Sequence, residues 1–320
     1  MVGAALDEVG RIAMLARILV ARAPGVEVAI GDDAAVLQAP PRGRIVWTID
    51  EQVEGVHFRR DLASWHDVGW RSFTAAASDV AAMGAEPWCA LCAMVLPPDV
   101  DDAALEEIAC GQRDAADAVG APVVGGNLSR GPSVSIATTL LGACERAVLR
   151  SGALPGDGVW MAGHVGLAAG GLRALVKGRG GDALLRSAVL AWRAPRALVA
   201  EGRAMAQCAR AAVDVSDGLA RDVGHLAEAS GVCVVLDEAA LLEDPALADA
   251  AAALGESALD LALHGGEDYA LVAASSDPID GFRRIGVIVD GHGVVLRGPG
   301  GERPIEPRGF DHFAASRNPG

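Results

Sequence analysis

The chain has 320 residues, of which 51% are hydrophobic and 22% charged, as expected for a globular protein of two domains. Its net charge of −15, without any cluster of Lys and Arg, argues against a nucleic-acid partner. No apolar run approaches the length of a membrane span, and Asp7 and Glu8 precede the first apolar positions, which is wrong for a signal peptide. We therefore expect a cytoplasmic protein with no membrane partner.

The hydrophobic pattern of the first half predicts alternating helices and strands. Small residues dominate the helix that carries Asp79, and Pro or Gly ends most of the segments. The predicted elements are a helix at 6–21, a strand at 44–49 that ends at Asp50, a helix at 65–83, a strand at 88–96, a helix at 101–119, and strands at 122–124 and 133–141.

A cluster of Gly, Pro and Asp at 151–158 predicts a domain boundary, so we expect domains at 1–148 and 149–320. The alternation of strands and helices in both halves of the chain predicts two α/β (α+β) domains, each with helices packed on a sheet. The elements predicted after the boundary are a strand at 159–163, helices at 167–177 and 195–208, a strand at 212–215, a helix ending at 230, and strands at 232–236, 269–273 and 286–289.

Six cysteines are present, and only Cys89 and Cys92 have C-x-x-C spacing. No second pair completes a zinc site, and both residues lie in the apolar run 88–96. We therefore expect buried structural thiols in a reducing compartment, and not a redox or metal motif.

Five short acidic motifs beside glycines are the most informative feature of the sequence. Mg²⁺ prefers oxygen ligands, and glycine lets a phosphate approach the backbone closely. A set spread over more than half of the chain acts together only if the fold gathers it. The motifs are GDDAA at 31–35, TIDEQVEGVHF at 48–58, SD at 78–79, DVSDG at 214–218 and GGEDY at 265–269.

Each motif by itself also has a simpler explanation. Asp32 and Asp33 suit an ordinary turn, and Asp79 either faces solvent or has a partner, because burial of a lone carboxylate is costly. Ser216 and Asp217 precede a helix, where they either cap it or lie against a phosphate or its metal, since the free N–H groups of a helix N-terminus attract anions. The chain has no G-x-x-x-x-G-K-[ST] motif, which excludes a P-loop enzyme.

Eight segments, taken in order, resemble the bacterial thiamine-monophosphate kinase family over nearly the whole chain. Any one of them alone is a weak signal, whereas their common order and spacing is a strong one. They are GDDAAV (31–36), TIDEQVEGVHF (48–58), SDVAAMGAEP (78–87), GGNLSRG (125–131), RSGALPGD (150–157), DVSDGL (214–219), HGGEDYALV (264–272) and GFDHF (309–313).

The resemblance extends to the superfamily of aminoimidazole-ribonucleotide synthetase. It implies an N-terminal ATP- and Mg²⁺-binding domain with a mixed sheet that pairs with the sheet of a second subunit, giving a homodimer. It also implies a C-terminal α/β substrate domain and ATP-dependent phosphorylation of thiamine monophosphate to thiamine diphosphate, with several Mg²⁺ ions.

The resemblance also assigns roles to individual residues, and it implies no covalent nucleophile. The residues matching metal-binding positions are Asp33, Thr48, Asp50, Asp79, Asp214 and Asp217. Those matching ATP-binding positions are Gly126, Asn127, Arg150 and Ser216, and those matching substrate positions are His57, Glu267 and Phe310.

Two positions depart from the family pattern. The family commonly has Asp where this chain has Asn127, and Thr or Ser where it has Ile49. Asn keeps an oxygen ligand without the charge, and Ile offers no side-chain ligand. Because both positions are expected at one metal ion, we expect that ion to bind more weakly, or through backbone carbonyls.

The mechanism that the motifs favour is direct in-line phosphoryl transfer, which requires positioning and charge neutralisation and no nucleophilic side chain. Two alternatives remain open at this stage. One is a related ATP-dependent enzyme of the same superfamily that acts on another small acceptor. The other is a catalytically weak nucleotide-binding dimer, which ATP would stabilise without turnover of any acceptor.

Overall fold

The computed structural model describes residues 6–19, 25–30, 35–38, 43–306 and 308–309. The helices are α1 (Glu8–Leu19), α2 (Trp65–Ala82), α3 (Asp102–Val119), α4 (Leu167–Val176), α5 (Arg186–Arg193), α6 (Val199–Met205), α7 (Leu219–Ser230), α8 (Glu238–Leu241), α9 (Pro245–Leu254) and α10 (Ala258–His264), with a 3₁₀ turn at Ala183–Leu185. The strands are β1 (Val26–Val28), β2 (Val36–Leu37), β3 (Arg44–Val53), β4 (Glu86–Leu96), β5 (Val123–Arg130), β6 (Ser135–Cys144), β7 (Gly158–Ala162), β8 (Ala211–Val215), β9 (Cys233–Asp237), β10 (Ala270–Ser275), β11 (Arg283–Val289), β12 (Gly293–Gly298) and β13 (Gly301–Ile305).

The chain forms two compact units. The first contains Met1–Val148 and Arg193–Gln207, and the second contains Leu149–Trp192 and Cys208–Gly320. The expected division into 1–148 and 149–320 puts residues 193–207 in the C-terminal domain, whereas in the structure they group with the first unit. They join the first unit because α6 packs closely on α2, where a Cβ on Gly202 would lie 2.3 Å from the carbonyl oxygen of Ala81.

The first unit contains a four-stranded mixed sheet in the order β3-β6-β4-β5. Only β4 and β5 run parallel within it. Helices α2 and α3 cover one face, and two glycines let them approach closely. A Cβ on Gly69 would lie 2.0 Å from the carbonyl oxygen of Ile108, and one on Gly111 would lie 2.0 Å from that of His66. We call the face under α2 and α3 the helix face and the opposite one the outer face.

The second unit contains a seven-stranded mixed sheet in the order β13-β12-β9-β11-β7-β10-β8. The pair β9 and β12 is parallel, and the other pairs are antiparallel. Helix α7 packs on this sheet, and its buried residues include Leu219, Val223 and Leu226. The predicted fold class, mixed α/β with helices packed on sheets, is thereby confirmed.

Two strands run further than the sequence pattern indicates. β3 continues to Val53, so Asp50 lies within the strand and not at its end, because β3 pairs with β6 over ten positions. β5 continues through the glycine motif to Arg130 alongside β4. A Cβ on Gly126 would lie 1.8 Å from the carbonyl oxygen of Cys92, so glycine permits this pairing.

The expectation of buried structural thiols at Cys89 and Cys92 is confirmed, since both are buried and free. Gln112 Nε2 donates to Cys92 Sγ at 2.9 Å, which ties β4 to α3. Burial raises the pKa of both thiols to about 11, so they remain protonated near neutral pH. In the part of the chain that the structure describes, no helix has both the length and the apolar character needed to cross a bilayer.

Candidate active site

Three predicted metal ligands lie on the helix face of the first unit. Thr48 and Asp50 share this face because alternate residues of a strand point the same way. Thr48 Oγ1 donates to Asp79 Oδ2 of α2 at 2.5 Å. Asp50 follows about 6.6 Å further along β3, and Gln52 Nε2 donates to its Oδ1 at 3.4 Å. Asp79, which lies on the alanine-rich helix α2, therefore has a hydrogen-bond partner on β3. Oxygen atoms from two elements meet at this point.

Ile49 and Asn127 lie on the other side of the sheet. Ile49 points to the outer face, where 68% of its surface is exposed. Asn127 pairs with Ala93, Ala93 pairs with Ala137, and Ala137 pairs with Glu51. Paired residues of neighbouring strands point to the same side of a sheet, so Asn127 lies on the outer face with Glu51 and Ile49. β3 and β5 are opposite edges of the sheet, roughly 14 Å apart at three strand spacings. The expectation that both residues contact one ion is therefore wrong within a single chain, and Ile49 leaves the face of Thr48 and Asp50 unaltered.

A cavity of about 910 Å³ lies against the outer face. Its apolar wall includes Leu15 of α1 and Leu37 of β2, and its polar wall includes Asn127 beside Gly126. This volume is within the range of small-molecule sites, which are mostly apolar with a few polar groups. Two residues predicted to bind ATP thus line a cavity of suitable size.

His57 lies in the loop after β3 and is half-buried. The backbone N–H of Val53 donates to its Nδ1 at 3.0 Å. Because a backbone N–H can only donate, Nδ1 is the accepting nitrogen, and the neutral ring carries its proton on Nε2. The same loop is held by Arg60, whose Nη2 donates to Glu54 Oε2 at 2.8 Å. The ring is thereby fixed in orientation and in tautomer.

In the second unit, the motifs at 214–219 and 264–272 are neighbours. They flank β8 and β10, which pair with Val215 opposite Ala270. Beyond the pair, the N–H of Glu267 donates to the carbonyl oxygen of Ser216 at 2.7 Å. A Cβ on Gly266 would lie 2.6 Å from that same oxygen, so glycine is required for the approach. Two motifs separated by about 50 residues therefore form one polar cluster.

Asp222 organises the first of these motifs and was missed by the sequence analysis. Its Oδ2 accepts the backbone N–H groups of Ser216, Asp217 and Gly218 at 3.0, 3.0 and 3.1 Å. The capping interpretation is therefore wrong, because α7 begins after Gly218 without a side-chain cap. The three N–H groups are already bonded to Asp222, so the loop would meet a phosphate or its metal through the side chains of Ser216 and Asp217. Only the position of Asp222 in the first turn of the helix could have indicated this role.

Asp222 is 3% exposed, and burial raises its pKa to about 7, with further contributions from the charges of Asp214 and Asp217. Asp214 is also buried, at 4% exposed, near the end of β8. Arg221 Nε lies 3.7 Å from Asp217 Oδ2 and provides a cation near this group. The charges of Asp214 and Asp217 beside Asp222 create a local negative potential that favours a bound cation.

Asp268 anchors the second motif. Its two carboxylate oxygens accept the N–H groups of Gly166 at 2.5 Å and Ala168 at 2.9 Å, where α4 begins. Burial raises its pKa to about 7, although these hydrogen bonds act in the opposite direction. Its neighbours Glu267 and Tyr269 have positive φ values of 64° and 52°, which are strained for residues other than glycine.

The strained turn determines where Glu267 points. Trp192 Nε1 donates to Glu267 Oε2 at 3.0 Å, and Trp192 is itself 1% exposed. The side chain is thus held by a rigid aromatic donor from α5, while Asp268 holds the backbone. Strain supported in this way is common at binding sites.

The remaining predicted site residues are not brought into these clusters. Arg150 is exposed, and its carbonyl oxygen accepts Ser230 Oγ at 3.1 Å, at the end of α7 remote from Ser216. Twelve helical residues separate the two ends, which is roughly 18 Å. Gly309 lies beside Asp217 and Arg221. Asp33 and Phe310 lie outside the described residues.

Magnesium suits these donors. Among the described residues, no group of three or more His, Cys, Asp and Glu side chains is arranged to hold a metal ion by itself. Mg²⁺ typically uses one or two carboxylates and completes its shell with water and substrate phosphates. The hydroxyl and carboxylate oxygens of Thr48 and Asp79 match this requirement, as do the carboxylates of Asp214 and Asp217.

Comparisons with known proteins extend over nearly all of the chain. A family model described as AIR synthase related protein, N-terminal domain, matches residues 31–144. The chain is 36% identical to the thiamine-monophosphate kinase of Mycobacterium tuberculosis, over 98% of this chain and 95% of that protein. It is 32% identical to that of Escherichia coli K12, over 90% and 93% of the two chains. In structure it is similar to AaThiL complexed with AMPPCP and TMP, with a TM-score of 0.80, 30% identity and coverage of 96% and 97%.

Proposed function

Because this chain belongs to the thiamine-monophosphate kinase family, we propose that it transfers the γ-phosphoryl group of ATP to thiamine monophosphate, giving thiamine diphosphate and ADP. The observation that carries the proposal is the 30% identical structure solved with AMPPCP and TMP, which this chain matches over 96% of its length at a TM-score of 0.80. The polar clusters of both units contain carboxylate oxygens of the kind that magnesium prefers, which supports the proposal.

We propose that Thr48, Asp50 and Asp79 bind magnesium in the first unit, as do Asp214 and Asp217 in the second. Asp33 belongs to the same proposed set. Bound Mg²⁺ would supply positive charge that offsets the repulsion between two anionic substrates. The protein's own contribution is to hold the carboxylates in place, as Thr48 does for Asp79 through the hydrogen bond of 2.5 Å.

The nucleotide is proposed to contact Gly126, Asn127, Arg150 and Ser216. Support comes from the cavity of about 910 Å³ that Gly126 and Asn127 line, since its apolar wall suits a purine ring. Ser216 Oγ is presented by a loop whose backbone is fixed on both sides. Arg150 belongs to the same proposed set by family resemblance, and its backbone lies roughly 18 Å from Ser216, at the other end of α7.

Thiamine monophosphate is proposed to contact His57, Glu267 and Phe310. Nε2 of the neutral His57 ring carries a proton and can donate to a substrate oxygen, because Nδ1 is occupied by the N–H of Val53. Glu267 carries the negative charge that a cationic thiazolium or a pyrimidine amino group requires, and Trp192 fixes its orientation. These contacts would place the substrate phosphate for attack.

The proposed transfer is direct and in line. An oxygen of the thiamine phosphate forms a bond to the γ-phosphorus of ATP, and the bond from that phosphorus to the β–γ bridging oxygen breaks, releasing ADP. The acceptor phosphate is already largely ionised near neutral pH, so no strong general base is needed. Cys89 and Cys92 do not act as nucleophiles, because burial raises their pKa to about 11.

The experiment is an assay of the purified protein with ATP, Mg²⁺ and thiamine monophosphate. We expect stoichiometric thiamine diphosphate and ADP, detected by chromatography. ADP formed only with a different acceptor would reassign the substrate. Stabilisation by ATP without turnover of any acceptor would instead favour a nucleotide-binding dimer without kinase activity.

We also propose a homodimer formed through the outer face of the four-stranded sheet. Four large apolar side chains are exposed there, namely Ile45, Trp47 and Ile49 of β3 at 56%, 72% and 68%, and Leu91 of β4 at 41%. Trp47, Ile49 and Leu91 also line the cavity of about 910 Å³, so the proposed interface would border the proposed nucleotide site. A contiguous apolar patch of this kind is typical of an interface. Its position on a sheet agrees with the sheet pairing that the family resemblance implies.

Replacement of Ile49 by glutamate is expected to convert the dimer into a monomer, because the charge would be desolvated in the interface. Light scattering at micromolar concentration measures the change as a halving of the mass. Leu190→Glu is the matched control, since Leu190 of α5 is 61% exposed and belongs to the second unit. A wild-type protein that is monomeric, or an Ile49→Glu variant that stays dimeric, would contradict the proposed interface.

A further inference from the structure

The loop at 216–218, which precedes α7, has its backbone donors directed into the protein. Helix N-termini ordinarily attract phosphate because their first N–H groups are unbonded. Here a single oxygen, Asp222 Oδ2, accepts all three N–H groups of the loop at 3.0 to 3.1 Å. An anion approaching from outside therefore does not find these donors available.

The acceptor side of the loop is fixed as well. The carbonyl oxygen of Ser216 accepts the N–H of Glu267 at 2.7 Å. Gly218, which ends the loop, has a φ of 124°, a conformation that suits glycine and few other residues. The carbonyl oxygen of Gly218 accepts the N–H groups of Arg221 and Asp222, both at 3.0 Å. All three N–H groups of the loop and two of its carbonyl oxygens are therefore bonded within the protein, and the side chains of Ser216 and Asp217 are its remaining polar groups for a ligand.

We propose that Asp222 is a positioning residue that makes this loop a cation-binding element instead of a phosphate-binding one. Asp222 accepts hydrogen bonds from the three N–H groups, so these groups are not available to a phosphate. The loop would then bind nucleotide phosphates through the Ser216 hydroxyl and through a divalent cation held by Asp217 and Asp214. The property of Asp222 that matters for this role is the position of its Oδ2 atom, and not its negative charge. The inference rests on the proposed function, since it assumes that Asp214 and Asp217 bind the cation.

Two substitutions separate the place of the acceptor from its charge. Asp222→Asn keeps an oxygen where Oδ2 lies and removes the charge. Asp222→Glu keeps the charge but moves the carboxylate by one methylene in a site that is 3% exposed. The probe is Mn²⁺, titrated into the full-length protein with AMPPCP present and followed by calorimetry. Asp244→Asn is the matched control, because Asp244 caps α9 in the same unit by accepting the N–H of Ala246 at 2.9 Å.

We expect Asp222→Glu to raise the Mn²⁺ dissociation constant by about 10- to 100-fold, as for loss of a residue that orients metal ligands, with Asp222→Asn changing less than tenfold. The KM for ATP should follow the same order, while Asp244→Asn changes only thermal stability. The reverse order, or equal effects of the two substitutions, would overturn the inference.

Two further measurements keep the test decisive. Asp217→Asn must weaken Mn²⁺ binding; if it does not, the proposed metal role of this loop fails, and that failure is distinct from failure of the role of Asp222. Hydrogen exchange of the wild-type amides at 216–218 is independent of whether Asp222→Glu folds. We expect these amides to be protected, and exchange as fast as in an exposed loop would exclude the hydrogen bonds to Asp222.

Discussion

Replacement of Asp79 by asparagine is expected to lower kcat/KM for thiamine monophosphate phosphorylation by more than about 100-fold, the upper range for loss of a residue that merely supports a metal ligand. The asparagine oxygen still accepts the Thr48 hydroxyl, which donates to Asp79 Oδ2 at 2.5 Å, so the fold should persist. What is lost is the negative charge that attracts magnesium. Steady-state kinetics over a range of Mg²⁺ concentrations measures the effect.

The Mg²⁺ dependence distinguishes a ligand from a structural residue. If Asp79 holds the ion, the variant needs more Mg²⁺ for half-maximal rate, and excess Mg²⁺ restores part of the activity. Asp117→Asn on α3 is the matched control, because Asp117 is also a helical carboxylate of the first unit and is exposed. Unchanged kinetics in Asp79→Asn would remove Asp79 from the proposed site.

Replacement of Gly171 by alanine is expected to destabilise the protein by at least about 2 kcal/mol, within the usual range for overpacking. A Cβ at this position would lie 2.1 Å from the carbonyl oxygen of Ala188 in α5. The Cβ is fixed to the backbone of α4 and the oxygen belongs to the backbone of α5, so neither atom can rotate away and the two helices must separate. Since α5 also carries Trp192, which bonds Glu267 Oε2 at 3.0 Å, the KM for thiamine monophosphate should rise as well.

The adjacent glycine is a nearly ideal control. A Cβ on Gly170 would meet the Ala188 Cβ at 3.7 Å, an ordinary van der Waals contact. Gly170→Ala should therefore stabilise the same helix by about 0.5 to 1 kcal/mol, because alanine has the higher helix propensity. Denaturant midpoints of the two variants measure the difference. Equal midpoints would show that α4 and α5 separate without cost.

Much of the fold was predictable because its signals are local. The helix predicted at 65–83 is observed at Trp65–Ala82, and the helix predicted at 101–119 is observed at Asp102–Val119 with Asp101 as its N-cap. In both cases a capping residue and a helical hydrophobic period coincide. The pattern was less informative at β5, where three residues of strand were predicted and eight are observed, since glycine-rich segments carry little hydrophobic periodicity.

The sequence proposes the residues of the candidate site, and the structure shows how the described ones are arranged. Thr48 and Asp79 share a hydrogen bond and Asp50 lies on the same face of the sheet, whereas Ile49 and Asn127 lie on the opposite face and on opposite edges of the sheet. Successive residues of a strand point to opposite faces, so Ile49 faces away from Thr48 and Asp50. The sequence contains this information, but the expectation for Ile49 came from the family pattern instead. Residues 193–207 entered the first unit for a different reason, because a glycine contact between α6 and α2 is invisible in either segment alone.

The sequence alone determined the family, the fold class and the set of acidic motifs, since each of these depends on residue type, order and local period. Only the tertiary structure decided which groups of those motifs face outward. Asp268 bonds the N–H groups of Gly166 and Ala168 across about 100 residues, and Asp222 bonds the three N–H groups of the 216–218 loop. The physical reason is that a buried carboxylate takes whichever donors the packed fold brings to it, and no local pattern specifies that choice.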